Sequence, residues 1–338
     1  MSLFDEIKSA AEQDKLRLHT PGHKGALCEY DLTELTDDSF PSDAVAKAES
    51  RAAAAYGVKH AKFLCGGSSQ GVKASVYYAA ADAVVDINSH RSVFDGFMLS
   101  AKAYVAAGEK GCVRPLTVEQ IDRALTPQTK AVVVTTPTYY GYCADNSGIA
   151  EYCAKKGLMF IADSAHGAHF GFAQELPESV ARYCDICNVS AHKTLSALTQ
   201  SAILLDNLDD TRSAALSDTV ELMGTTSPSY LLYASVDGAI SKVTGGAARE
   251  RYKALYAPLC DLRKEFVFLD NDDYTRPVLD AARMGISPYK LNKRLCLNGV
   301  YSEKVDDRYI VFIFTAENTP NDVERLKIAL RKSIGEIE

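Results

Sequence analysis

The chain has 338 residues, of which 47% are hydrophobic and 24% are charged, and its formal net charge is −7. A chain of this size can bury a full core, and we expect one large domain and one smaller one. The mild negative charge excludes the basic footprint of a nucleic-acid-binding protein. Apolar runs are short and residues 1–10 include charged side chains, so we expect neither a membrane span nor a signal peptide.

A protein with these features is expected in the cytoplasm, where its nine cysteines would stay reduced. Cys184 and Cys187 have the spacing of a redox or metal motif, but no second cysteine pair accompanies them. We therefore interpret both as buried structural thiols and predict no metal site.

Strand-like and helix-like segments alternate along the chain. Strands are predicted at residues 62–65, 83–87, 130–135, 158–163, 184–190 and 202–205, and helices at residues 72–83, 92–101 and 146–156. This alternation indicates an α/β fold with a mostly parallel sheet that is covered by helices on both faces.

The composition changes near residue 237, after which the chain is more charged and more helical. It ends in a strand candidate at residues 309–314 and a helix from residue 321. We therefore predict an N-terminal segment (1–43), a large domain (44–237) and a small α+β domain (238–338).

One lysine and one aspartate suggest a specific chemistry. Asp163 closes the apolar run 158–162, and Lys193 follows thirty positions later. A lysine that forms a Schiff base and an aspartate that holds a pyridinium nitrogen are the minimum equipment for pyridoxal 5'-phosphate (PLP). Ligands collect at the carboxyl ends of parallel strands, and Asp163, Ser190 and the turn 66–71 all fall at such ends.

The turn 66–71 places small residues and the hydroxyls of Ser68 and Ser69 before a predicted helix. Free N–H groups and the helix dipole favour a phosphate there. Taken alone, this segment is more simply interpreted as an ordinary turn between a strand and a helix. Asp163 could likewise serve as a helix N-cap.

Seven segments occur together in a recognisable order. They are HTPGHKG (19–25), GSSQG (67–71), SHRS (89–92), TPTYYG (136–141), DSAHGAHFGF (163–172), SAHKTL (190–195) and TTSPSY (225–230). This series resembles the Orn/Lys/Arg decarboxylase family, whose PLP-dependent transferase-like (fold-type I) architecture has a large α/β domain and a small α+β domain. Members are usually longer, so the resemblance implies a short form that lacks the usual C-terminal domain.

The resemblance also implies roles for individual residues. His90 would stack on the pyridine ring, Ser190 and His192 would add phosphate contacts, and His166 would reach the cofactor or the substrate carboxylate. The segment around Thr226 would reach the phosphate of a neighbouring subunit, which implies a homodimer with composite sites. The predicted catalytic residues are Lys193, Asp163 and His166, and the predicted cofactor-binding residues are Ser68, Ser69, Gln70, His90, Asp163, Ser190, His192, Lys193 and Thr226.

The implied function is PLP-dependent decarboxylation of lysine, ornithine or arginine to the corresponding amine. Fold alone does not select the reaction, so an aminotransferase or lyase activity is one alternative. A non-catalytic relative that binds PLP and regulates a longer paralogue is another. The sequence does not indicate which basic amino acid is the substrate.

Overall fold

The computed structural model describes residues 1–12, 16–33 and 42–335. Seven strands form the main sheet, in the spatial order β1-β7-β6-β5-β4-β2-β3. They are β1 (His60–Leu64), β2 (Asp82–Asp86), β3 (Tyr104–Ala107), β4 (Thr129–Thr135), β5 (Met159–Asp163), β6 (Ile186–Val189) and β7 (Ala202–Asp206).

Strand β7 pairs antiparallel with both β1 and β6, and the other pairings are parallel. Six strands therefore share one direction, which confirms the predicted mostly parallel sheet. Strands β6 and β7 are buried along their whole length, as expected for strands that have helices on both faces.

Twelve α-helices are found in the described residues. They are α1 (Leu3–Ala11), α2 (Ser42–Tyr56), α3 (Gly67–Ala79), α4 (Arg91–Ser100), α5 (Val118–Ala124), α6 (Asn146–Lys156), α7 (Ala191–Thr194), α8 (Asp210–Leu222), α9 (Tyr230–Thr244), α10 (Ala247–Glu265), α11 (Pro288–Leu297) and α12 (Pro320–Gly335). Helix α6 matches its predicted bounds, because Asp145 caps its first turn and Gly157, at a φ of 67°, ends it.

Alternate residues of a strand pack against opposite helical layers. In β4, Val132 and Val134 belong to the core that includes Ile149 of α6. Val133 between them packs in a separate cluster with Val72 of α3 and Val93 of α4. Because side chains alternate with this period of two, the sheet is packed between two layers of helices.

A second, antiparallel sheet of order β8-β10-β9 lies in the C-terminal part, with β8 (Val278–Asp280), β9 (Lys304–Val305) and β10 (Tyr309–Val311). Strand β10 and helix α12 lie where a strand and a final helix are predicted. Helix α9 (Tyr230–Thr244) is continuous through residue 237. The predicted division into two domains at this residue stays a prediction. None of the described helices combines the length and the apolar character that a bilayer-crossing segment needs.

The shared strand direction brings polar residues to one edge of the main sheet. Asp86, Thr135 and Asp163 end β2, β4 and β5, while Gly67 and Ser190 follow β1 and β6 closely. All five line one cavity at this edge. The two cysteines of the Cys184-x-x-Cys187 pair lie elsewhere and are buried free thiols, as predicted.

The contact between α3 and β6 can be tested at Gly71. A Cβ at this position would lie 2.2 Å from Oδ1 of Asn188 and 2.8 Å from Cδ1 of Leu64. We expect Gly71→Ala to lower the free energy of unfolding by about 1–3 kcal/mol through overpacking, as measured by urea unfolding. The matched control is Gly238→Ala in α9, where a Cβ meets nothing within 4 Å and stability should be unchanged or higher. Equal stability of Gly71→Ala and the wild type would contradict this packing.

Candidate active site

A cavity of about 590 Å³ opens at the carboxyl edge of the main sheet. Its volume lies in the range of small-molecule and cofactor pockets. Eight of the ten predicted site residues line it, namely Ser68, Ser69, His90, Asp163, His166, Ser190, His192 and Lys193. Gln70 and Thr226 do not.

Asp163 is placed by β5, which it ends, and its side chain is only 3% exposed. Its Oδ1 accepts a hydrogen bond from the backbone N–H of Ala165 at 3.2 Å. Burial raises the pKa of Asp163 above its ordinary value, and Lys193 offsets part of that rise when it is in its ammonium form. A cation at the Asp163 carboxylate would therefore be strongly favoured.

Lys193 lies on the short helix α7, which begins directly after Ser190 at the end of β6. Its Nζ lies 3.2 Å from Nε2 of His166. Burial lowers the pKa of Lys193, the Asp163 carboxylate opposes this change, and the Arg276 guanidinium adds to it. A lowered pKa increases the share of the neutral, nucleophilic amine at neutral pH.

The N-terminus of α3 lines one part of the cavity. Ser68 and Ser69 lie in its first turn, where backbone N–H groups lack helical acceptors. The Ser190 hydroxyl donates to the Ser68 hydroxyl at 2.7 Å, deep in the protein. His192 lies beside them, with its Nδ1 2.8 Å from the Ser201 carbonyl oxygen. These groups can hold a phosphate.

Two histidines border the remaining wall. His90 caps α4, and its Nδ1 accepts a hydrogen bond from the Ser92 N–H at 3.2 Å. His166 is buried between Lys193 and Arg276, whose Nη1 lies 2.9 Å from Nδ1 of His166. Burial and the charge of Arg276 hold the pKa of His166 well below its ordinary value. His166 is therefore a neutral imidazole at neutral pH.

The Gln70 side chain has its partners outside the cavity, and its predicted contact with the cofactor stays a prediction. The Gln70 side chain accepts a hydrogen bond from Gly66 N–H and donates one to the Val220 carbonyl oxygen, both at 3.0 Å. It thus ties the turn before α3 to α8 and points away from the cavity. Thr226 is exposed between α8 and α9, and its predicted contact with a neighbouring subunit stays a prediction.

Several cavity residues carry no clear signal in the sequence. Lys304 comes from the two-residue strand β9, and its Nζ lies 4.8 Å from the ring centre of Tyr139 and 5.2 Å from that of Tyr140. Arg114 also lines the cavity. Asp86 could have been found, because it ends β2 as Asp163 ends β5.

PLP fits the residues that line this cavity. None of the ion pairs in the described part of the chain includes Asp163, so a protonated ring nitrogen would supply the cation that its buried carboxylate lacks. Ser68, Ser69 and Ser190 could hold the phosphate, and Lys193 could carry the aldehyde carbon. Each group of the cofactor thus has a matching group in the chain.

Comparisons with known proteins agree with this geometry. The family model for Orn/Lys/Arg decarboxylase, major domain, matches residues 23–282. The arginine decarboxylase of Bacillus subtilis (strain 168) is 26% identical over 374 aligned residues, which cover 97% of this chain and 76% of that protein. A lysine decarboxylase of Pseudomonas aeruginosa is 24% identical, covering 77% of this chain and 42% of its own length.

Solved structures share the architecture. The constitutive lysine decarboxylase of E. coli superposes with a TM-score of 0.75 at 18% identity, covering 98% of this chain and 60% of that one. The serine palmitoyltransferase of Sphingomonas wittichii gives a TM-score of 0.73 at 17% identity, covering 98% and 83%. These likenesses confirm the predicted fold-type I architecture.

The anion-binding role of Ser68 can be tested directly. Replacing it with alanine should remove one hydrogen bond to a charged group, which is worth about 1.5–3 kcal/mol. We expect Ser68→Ala to raise the Kd for PLP by roughly tenfold to a hundredfold, as measured by equilibrium dialysis. The control is Ser75→Ala on the same helix, because the Ser75 hydroxyl donates to the Gly71 carbonyl oxygen, away from the cavity. An unchanged Kd for Ser68→Ala would place the phosphate elsewhere.

Proposed function

Because this chain belongs to the Orn/Lys/Arg decarboxylase family, we propose that it removes the α-carboxylate of lysine, ornithine or arginine as CO2. Membership confirms the predicted enzyme class, a PLP-dependent decarboxylase, and the predicted cofactor. The observation that carries the proposed reaction is the convergence of Asp163 and Lys193 on one cavity with an anion-binding helix end. The relatives are named for arginine and lysine, which supports a basic substrate.

The roles of the chain's own residues follow from their positions. PLP, when bound, supplies an electron sink for the pair of electrons that CO2 leaves behind. Asp163 would hold the positive charge of the ring nitrogen, since its buried carboxylate needs a cation. Ser68, Ser69, Ser190 and His192 would hold the phosphate. Lys193, released as a neutral amine, would take up the proton that the substrate amine loses and would then deliver it from Nζ to the substrate's α-carbon.

Selection among the three amino acids is expected to be weak. Their shared distal cation favours a carboxylate acceptor, whereas Arg114 and Lys304 carry positive charge into the cavity wall. Each of these cations has a carboxylate nearby: Asp270 lies 3.4 Å from Arg114, and Asp306 lies 3.6 Å from Lys304. The wall is thus partly neutralised, which would admit a cationic side chain without fixing its length.

The other proposed features rest on the family likeness. We propose a homodimer in which Thr226 contacts the phosphate bound by the partner, and a cytoplasmic location. A molar mass equal to one chain, in a protein that binds PLP fully, would contradict the dimer. The alternatives are an aminotransferase or lyase reaction and a non-catalytic PLP-binding regulator of a longer paralogue.

A product assay separates these functions. Purified protein with PLP is incubated separately with lysine, ornithine and arginine, and both CO2 and amine are measured. We expect stoichiometric CO2 and amine from more than one of the three, at high Michaelis constants, and none from Lys193→Ala. A keto acid product would favour an aminotransferase. The lack of any product, together with an unchanged absorption spectrum of the bound PLP at millimolar substrate, would favour the non-catalytic alternative.

A further inference from the structure

The guanidinium of Arg276 lies beneath the cavity and is completely buried, with 0% of the residue exposed. Its Nη1 lies 2.9 Å from Nδ1 of His166 and 3.0 Å from the Tyr139 carbonyl oxygen. We propose that Arg276 is a positioning residue that fixes His166 as the Nε2–H tautomer and thereby keeps Lys193 a neutral amine. This inference rests on the proposed function, in which Lys193 acts through Nζ.

The tautomer follows from the hydrogen-bonding capacity of the two groups. A guanidinium has five N–H donors, no acceptor, and a charge that it keeps at any ordinary pH. Nη1 of Arg276 can therefore only donate, and Nδ1 of His166 must accept. The single hydrogen of the neutral His166 ring then lies on Nε2.

The consequence for Lys193 is direct. Nε2–H of His166 faces Nζ of Lys193 across 3.2 Å. An ammonium group has three donors and no acceptor, whereas a neutral amine has a lone pair that can accept. The contact is therefore favourable only when Lys193 is neutral. The neutral form is also the one that can attack the carbonyl carbon of an aldehyde.

Arg276 differs from an arginine that only supports the backbone. Its Nη1 bonds to the side chain of His166 as well as to a backbone carbonyl oxygen, while its Nε and Nη2 are buried without a hydrogen-bond partner. Arg263 supports the same loop by donating to the carbonyl oxygens of Leu269, Asp273, Tyr274 and Arg276. Arg263 makes no contact with His166, and it is therefore the matched control.

A buried carboxylate lies close to the buried guanidinium of Arg276 and compensates its charge. Asp273 lies 3.8 Å from Nε of Arg276 and is itself completely buried. Burial opposes its ionisation, but the neighbouring side chains of His169 and Arg276 lower the pKa of Asp273 to about 2. Besides burial, which lowers it, the pKa of Lys193 is raised by Asp163 and Glu303 and lowered by Arg276. The pKa of His166 is lowered by burial and by Arg276, Lys193, His169 and His90.

The experiment uses the full chain without PLP, so that turnover plays no part. The pH dependence of acetylation at Lys193 is followed by peptide mass spectrometry in the wild type, Arg276→Lys, Arg276→Met and Arg263→Met. Loss of the Arg276 donor and its charge should raise the pKa of Lys193, because Arg276 then no longer opposes the ammonium form. We expect a rise of about one unit in Arg276→Met, which lowers the modification rate at neutral pH about tenfold.

Two further variants distinguish an effect of Arg276 on His166 from a general loss of structural support. Arg276→Lys retains a cationic donor and should stay near the wild-type profile. Arg263→Met should leave the Lys193 profile unchanged even if it lowers stability. Equal profiles for wild-type and folded Arg276→Met protein would overturn the proposal.

Nitrogen NMR of the wild-type protein gives a test that needs no variant and so remains if Arg276→Met does not fold. The ¹⁵N shifts of His166 should show a protonated Nε2 and an unprotonated Nδ1. A protonated Nδ1 would overturn the proposal. The failure of this inference can be separated from the failure of the proposed function. Decarboxylation by a protein whose Lys193 profile does not shift in Arg276→Met would contradict only this inference. The expected shift in a protein without decarboxylase activity would contradict only the proposed reaction.

Discussion

The burial of one carboxylate, that of Asp163, is the constraint on which the rest of the site depends. A charged carboxylate taken out of water is costly unless a cation or several donors compensate it. Asp163 has one backbone donor, from Ala165, and its pKa is raised by burial. The parallel sheet holds it there, because the end of β5 lies between those of β4 and β6. A ligand that brings a protonated nitrogen resolves this cost.

The two halves of the chain contribute different parts of the site. The main sheet supplies Asp163, Lys193 and the first turn of α3, which together match a phosphorylated pyridine aldehyde. The C-terminal part supplies Arg276 beneath the cavity and Lys304 at its wall. In the proposed function the strand ends would position the cofactor groups, whereas Arg276 and Lys304 from the C-terminal part would set the protonation of Lys193 and the charge of the wall.

Much of the fold could be predicted because buried strands and capped helices leave clear patterns. The apolar run at Val132–Val134 predicted β4 within a residue, and the helix predicted at residues 146–156 matches α6. Strand β3 was missed, since it is an exposed edge strand with only its last residue buried. Helix α3 begins at Gly67 rather than at residue 72, because glycine and serine in its first turn are typical of a loop.

Site residues that lie in recognisable motifs could be predicted from the sequence, whereas residues outside any motif could not. Lys193 and Asp163 follow strand ends, so their convergence was expected. Arg276 and Lys304 lie far along the chain in segments with no motif. Gln70 shares a motif with Ser68 and Ser69, but successive helical residues point in different directions, and its side chain forms its hydrogen bonds outside the cavity. The sequence motif therefore does not indicate which of these three side chains faces the cavity.

The most direct test of the account is the identity of the lysine that carries PLP. The protein is saturated with PLP, reduced with borohydride and digested, and the labelled peptide is identified by mass spectrometry. The account predicts label on the peptide that contains Lys193 and its loss in Lys193→Ala. Label on any other lysine, at full occupancy of the cavity, would contradict it.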